Sequence, residues 1–214
     1  MSTATLSCKC GQVSVNFAVN QGRSKIYCCC DDCFAKNAWA ARMGGPQIPD
    51  KCESKEAPMW VEHWSARMVV VGKEKLTFNK LREQSPCTNC VAACCSTLLF
   101  VDSPFYQGNV VSIFPEMVNL QNAVHREKFD FVSFIRDWPS ECQSNIDQSL
   151  PSWYFDENGQ VNGSGRWQEA FQDVAGRFSV PAEEGEGQLF AELLQECGGS
   201  VTILDQTSTP SDPM

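Results

Sequence analysis

The chain has 214 residues, 43% of them hydrophobic and 20% charged, the composition of an ordinary soluble globular protein with room for a sizeable core. No run reaches the roughly 18 apolar residues of a membrane span. A net charge of −9 without a dense basic stripe argues against nucleic-acid binding, where phosphate neutralisation supplies most of the non-specific affinity.

The charge is unevenly divided. Residues 1–114 hold 12 Lys and Arg against 9 Asp and Glu, net +3, whereas residues 115–214 hold 5 against 17, net −12. Eleven of the 13 cysteines also lie in the first part. The expectation is a domain over 1–114, followed by an acidic, partly helical extension over 115–214 that packs on it.

The segment Met1–Ser7 has neither the basic start nor the apolar stretch of a secretory signal. A cytoplasmic location is therefore expected, where thiols stay reduced and clustered cysteines serve metals more often than disulfides. An exported disulfide protein with 13 cysteines would leave at least one unpaired.

In chain order, the first short-spaced thiols are Cys8 and Cys10 in Cys8-Lys9-Cys10-Gly11. Val13, Val15, Phe17 and Val19 then alternate with Ser14, Asn16 and Ala18, a period-two strand with one buried face. A turn at Asn20-Gln21-Gly22 precedes a short strand, Lys25-Ile26-Tyr27, which delivers Cys28-Cys29-Cys30-Asp31-Asp32-Cys33. A short helix is expected from Asp31 to about Arg42, with Asp31 or Asp32 at its positive end and Gly44-Gly45-Pro46 as its stop. The region 46–63 is loop-rich, with three prolines and Cys52.

Two strands, Met68–Val71 and Leu76–Phe78, are expected on either side of a Gly-Lys-Glu-Lys turn. A third thiol group follows at Cys87, Cys90, Cys94 and Cys95. Leu98–Val101 and Val110–Phe114 form a further strand pair. In the second part, Trp167, Ala170, Phe171, Val174 and Phe178 repeat at helical spacing from Ser164 as N-cap, marking core or interface. Leu189, Phe190, Leu193 and Leu194 mark a second helix stopped by Gly198-Gly199, and Val201–Leu204 reads as a terminal strand. The fold class is mainly β: an antiparallel architecture with thiols at its knuckles and a helical C-terminal extension.

Short-spaced thiols at three places along a chain are a zinc signature. A structural zinc takes four ligands and a catalytic one three, with an open position. Cys8 and Cys10 with two cysteines from 87–95 would close a four-thiolate site. Cys28, Cys30 and Cys33 would make a three-thiolate site able to hold an incoming thiol as its nucleophilic thiolate. Two zinc ions per chain are thus expected, one structural and one open.

Cys8-x-Cys10-Gly11-x-Val13, then Cys28-x-Cys30-x-x-Cys33, then a late cysteine pair leading into Thr97-Leu98-Leu99-Phe100 resembles the glutathione-dependent formaldehyde-activating enzyme family over about residues 6–114. The resemblance implies a β-sheet zinc fold, with a structural zinc on the first and last pairs and a catalytic zinc on Cys28, Cys30 and Cys33. It also implies carbon–sulfur lyase chemistry, the addition of glutathione thiol to formaldehyde to give S-hydroxymethylglutathione. The expected partners are a small-molecule thiol such as glutathione and a small aldehyde, with no nucleic acid and no membrane.

Certain positions depart from the family pattern. Cys29 stands where members usually have His, and Phe34 and Ala38 stand where they often have Arg and Gly. The late pair has two candidates: Cys94 and Cys95 have the right continuation, while Cys87 and Cys90 have the usual spacing. The first pair is preferred and the second is held beside it.

The remaining candidates have simpler readings. Cys29 is read as a packed or redox-sensitive neighbour, and Cys52, Cys142 and Cys197 as small hydrophobes. His63 is read as a satisfied structural residue, with ligand or general base as the alternative, and His125 carries still less. Asp31 and Asp32 complement the helix dipole or contact substrate. The alternatives to the lyase are a non-catalytic, zinc-stabilised binding module with a partner-binding extension, and a redox protein using the surplus thiols.

Overall fold

A computed structural model describes residues 3–48 and 58–204, so Cys52 lies outside the described residues. Apolar residues alternate in short stretches separated by Gly, Pro and Asn, and such sequences make short strands. In chain order the described strands begin β1 (Thr5–Ser7), β2 (Ser14–Phe17), β3 (Ser24–Cys28), β4 (Trp60–Ser65), β5 (Met68–Val71), β6 (Leu76–Lys80) and β7 (Thr88–Ala92). They continue with β8 (Thr97–Asp102), β9 (Val110–Ile113), β10 (Asn119–Gln121), β11 (Val132–Ser133), β12 (Ser152–Phe155), β13 (Val161–Ser164) and β14 (Thr202–Ile203). Three α-helices accompany them: α1 (Asp31–Arg42), α2 (Trp167–Ser179) and α3 (Phe190–Glu196).

The protein is mainly β. A four-stranded antiparallel sheet has the order β10-β1-β2-β5, and a ten-stranded sheet has the order β13-β12-β11-β3-β4-β9-β8-β7-β6-β14. The larger sheet is mixed, not purely antiparallel, because β11 runs parallel to β3 and β12, and β14 runs parallel to β6. Both sheets take strands from either side of residue 115. β10 extends the smaller one beside β1, and β11 to β14 occupy positions at the two ends of the larger one.

The larger of the two main apolar clusters lies between the sheets, where Leu6, Val15, Phe17, Trp64, Met68, Phe100 and Leu193 are buried. The opposite face of the large sheet carries Ile26, Val61, Val110, Phe114 and Phe131, covered by Val174 and Phe178 of α2. A smaller cluster holds Cys29, Val132, Trp138, Cys142 and Ile146. Cys142 is thus a packed small hydrophobe, and the half-buried Cys197 packs beside the inter-sheet core.

Two local expectations need correction. The region 46–63 does not stay loop-like to its end, because Trp60–Ser65 is β4, an interior strand hydrogen-bonded to β3 and β9. Its polar residues obscure that in the sequence. Glu62 is 0% exposed but accepts from Trp64 Nε1 at 3.2 Å and pairs with His125 Nδ1 at 3.0 Å. Burial is tolerated because each charge or dipole finds an internal partner. Nor is Ser164 the cap of the later helix. It ends β13, its hydroxyl bonds Ser152 Oγ at 2.7 Å, and the N-cap position of α2 is Arg166.

Candidate metal centre and its cleft

The first knuckle is built by a tight turn at Cys8–Gly11, where the Gly11 amide donates to the Cys8 carbonyl at 3.0 Å. Gly11 has φ +74°, a left-handed conformation that costs a residue without Cβ little. The second knuckle is the turn joining β7 to β8, which carries Cys94 and Cys95 and reverses through Ser96 at φ +51°. The Lys9 amide donates to Thr97 Oγ1 at 3.0 Å and ties the two turns together.

Four sulfurs converge there. Cys8 Sγ lies 3.6 Å from Cys10 Sγ and 3.9 Å from Cys94 Sγ, Cys10 is 3.3 Å from Cys94, and Cys94 is 3.9 Å from Cys95. Ligand atoms of Cys8, Cys10, Cys94 and Cys95 all fall within 4.8 Å of one another, a group able to hold a metal ion. Tetrahedral zinc with Zn–S of about 2.3 Å requires S···S separations of roughly 3.8 Å, so the donor set fits zinc in number, type and spacing. Although Cys94 is exposed, partial desolvation raises its thiol, and Cys10 and Cys8 add to it, pushing it up to about 12. Burial acts in the same sense on Cys95, but Thr97 and the Cys10 backbone outweigh it and bring that thiol down to about 7.

The second group sits where β3 runs into α1. Cys28 ends the strand, Cys30 is the N-cap of the helix, and Cys33 lies in its first turn. The Cys33 amide donates to Cys30 Sγ at 3.2 Å, so the sulfur takes the role that a Ser or Asp oxygen usually plays at a helix start. Cys28 Sγ lies 3.3 Å from Cys30 Sγ and 3.4 Å from Cys33 Sγ, and the three form the other group able to hold a metal. Hydrogen bonding with Cys30 and Cys33 holds the Cys28 thiol well below its ordinary range, and the same bonds push Cys30 and Cys33 up. Burial disfavours the charge on Lys36, which is 5% exposed, but the thiols of Cys33, Cys87, Cys30 and Cys28 outweigh it and raise its pKa.

The two groups differ in what they face. Cys10 and Cys94 are exposed at the surface, and their group is complete with four thiols. The triplet instead lines a cleft of about 550 Å³. Around the thiols stand Lys36, Cys87 and Arg82, the last paired with Asp32 at 2.6 and 2.9 Å. Phe105, Tyr106, Phe134, Trp153, Phe171 and Phe178 line it as well. His63 also lines it, neutral because burial pulls its pKa down to about 3, and held by Ser24 Oγ at Nδ1 and Tyr106 Oη at Nε2.

Cys87 and Cys90, the alternative late pair, join neither thiol group among the described residues. Cys90 lies within β7 and packs in the inter-sheet core, whereas Cys87, just before the strand, packs with the cluster on the opposite face. Three positions apart at a strand's start, the two thiols fall on opposite faces and do not meet in this structure. His63 and His125 also lie outside both groups. Asp31 and Asp32 line the cleft, and Asp32 is occupied by Arg82.

Sequence reasoning missed Lys36, Arg82, Tyr106 and most of the aromatic wall. Lys36 could have been found, since it follows Cys33 by three residues and so shares its helix face. Tyr106 and Trp153 gave no local signal. No family model matches the chain, and no curated protein or solved structure matches it.

Proposed function

We propose that the protein is a zinc-dependent carbon–sulfur lyase that joins a small-molecule thiol such as glutathione to an aldehyde. One observation carries the reading: of two thiol groups spaced for zinc, the one with three thiols lines a cleft while the one with four stands apart at the surface. That division into four and three is also what resemblance to the glutathione-dependent formaldehyde-activating family implies, with the late thiols of the first group being Cys94 and Cys95.

Cys28, Cys30 and Cys33 would hold the zinc, which when bound would supply the positive charge that favours the thiolate form of an incoming thiol at neutral pH. The reaction is redox-neutral. The thiol sulfur forms a bond to the carbonyl carbon, the C=O π pair moves to oxygen, and that oxygen gains the proton the thiol lost. The protein's own groups fit the oxygen side of this chemistry. Burial holds the Tyr106 phenol well above its ordinary range, so it keeps its proton as a hydrogen-bond donor. In the tautomer where Ser24 donates to Nδ1, His63 donates from Nε2 to the Tyr106 oxygen, and the phenol also bonds Ser112, whose own hydroxyl donates to the Val101 carbonyl. A protonated donor lining the cleft is the kind of group that stabilises developing oxyanion charge in carbonyl addition.

The test is magnetisation-exchange NMR on glutathione, formaldehyde and their hydroxymethyl adduct, with zinc-loaded protein. Faster exchange that Cys30→Ser abolishes supports the lyase. No acceleration favours the non-catalytic binding module, for which the observation is that Cys29, at the position of the family His, is 1% exposed and packed beside Val132 and Trp138.

A further inference from the structure

We infer that the carbonyl partner of this site carries an aromatic or comparably bulky apolar group; this rests on the lyase reading above. Formaldehyde has two heavy atoms, whereas a cleft of about 550 Å³ is the size that accommodates a drug-sized ligand. The wall makes the chemical class specific. Phe105 lies 5.4 Å from Phe171 and 5.8 Å from Phe178, Trp153 lies 5.8 Å from Phe171, and Phe134 lies 4.5 Å from Trp153, measured between ring centroids. These rings form one continuous aromatic layer, contributed by α2, β12 and the segments after β8 and β11.

The charged groups among the described residues of the cleft are Asp31, Asp32, Lys36, Arg82 and Asp137. The buried ammonium of Lys36 stands among the thiols, and Arg82 is held by Asp32. Among the described residues that line the cleft, Lys36 and Arg82 are the cations. The thiols and Lys36 can serve a polar thiol, while the rings of the same cleft can serve the apolar arm of a carbonyl compound. Phe105 is 46% exposed, a large ring left partly in water, and a flat apolar ligand would cover it. The bond changes are those of the parent reaction: sulfur adds to the aryl aldehyde carbon and the oxygen takes the thiol proton.

The experiment uses the full-length zinc-loaded chain with glutathione and either benzaldehyde or formaldehyde, following adduct exchange by NMR. In parallel, benzyl alcohol, an unreactive mimic of the aryl arm, is titrated by tryptophan fluorescence, with Trp153 as the reporter lining the cleft. The expected result is exchange at least ~10-fold more efficient for benzaldehyde, together with saturable benzyl alcohol binding. Phe171→Ala and Phe105→Ala should each lower the benzaldehyde-to-formaldehyde ratio several-fold and weaken benzyl alcohol binding. The half-exposed position of Phe105 keeps that second variant folded if the first is not, and circular dichroism checks both. Formaldehyde exchange with no benzaldehyde preference, or with no benzyl alcohol binding, overturns the aryl assignment and leaves the lyase standing. No exchange with either carbonyl overturns both.

Discussion

Cys10→Ser and Cys30→Ser remove one thiol each, yet the structure requires very different costs. The surface group joins the turn between β1 and β2 to the turn between β7 and β8, so it staples one sheet to the other across 84 to 86 positions of chain. The triplet spans Cys28 to Cys33, only 5 positions, within one strand-to-helix junction. Treating each metal as a cross-link, loop-closure entropy gives about 4.6 kcal/mol for the long loop and about 2.2 kcal/mol for the short one. A typical domain has only ~5–15 kcal/mol of stability in all. Cys10→Ser should therefore shift the urea midpoint far more than Cys30→Ser, with the two ΔG values differing by about 2 kcal/mol or more. The assay is equilibrium urea unfolding at fixed free zinc with reductant, monitored by far-UV circular dichroism, with metal content measured on the folded fractions. Each variant should lose about one of two zinc ions. Equal destabilisation by the two substitutions, or a larger loss from Cys30→Ser, would refute the stapling argument.

Gly45 offers a second test, since a Cβ there would lie 2.4 Å from the Ser96 carbonyl oxygen and 2.7 Å from that of Ala40. Both neighbours are backbone, so Gly45→Ala should push the Cys94–Cys95 turn away from the end of α1 at a cost of about 1–3 kcal/mol. Zinc should then pass to a competing chelator faster, and an unchanged transfer rate would refute the coupling. His63 gives a pH prediction with a definite sign. Its folded pKa of about 3 lies below its unfolded value near 6.5, so the unfolded chain takes up the proton first as pH falls. The stability due to neutral His63 is complete above that unfolded value and falls on acidification, by about 2 kcal/mol between pH 7 and pH 5. Urea titrations should show wild type losing that much more than His63→Asn over the same interval, and equal acid sensitivity would refute it.

Local chemistry alone determined a good part of this protein. Alternation marked β2, the Asp31–Arg42 helix carried its own acidic start and glycine stop, and short spacing singled out Cys8 and Cys10, and Cys28, Cys30 and Cys33, as thiols able to converge. Each of these depends on residues within a turn or two of one another, where backbone geometry suffices. Contacts across long stretches of chain were beyond such reasoning. Which late cysteines meet Cys8 and Cys10 depends on two turns brought together by sheet packing, and strand period sends Cys87 and Cys90 to opposite faces of the large sheet. β4 looked like loop because Glu62 and His63 interrupt its apolar residues, and only their partners Trp64, His125, Ser24 and Tyr106 make its burial possible. The cleft is the furthest case. Its rings come from residues 105 to 178, each an unremarkable apolar position in its own segment, and they become one wall because α2 packs across the large sheet beside β3 and β11.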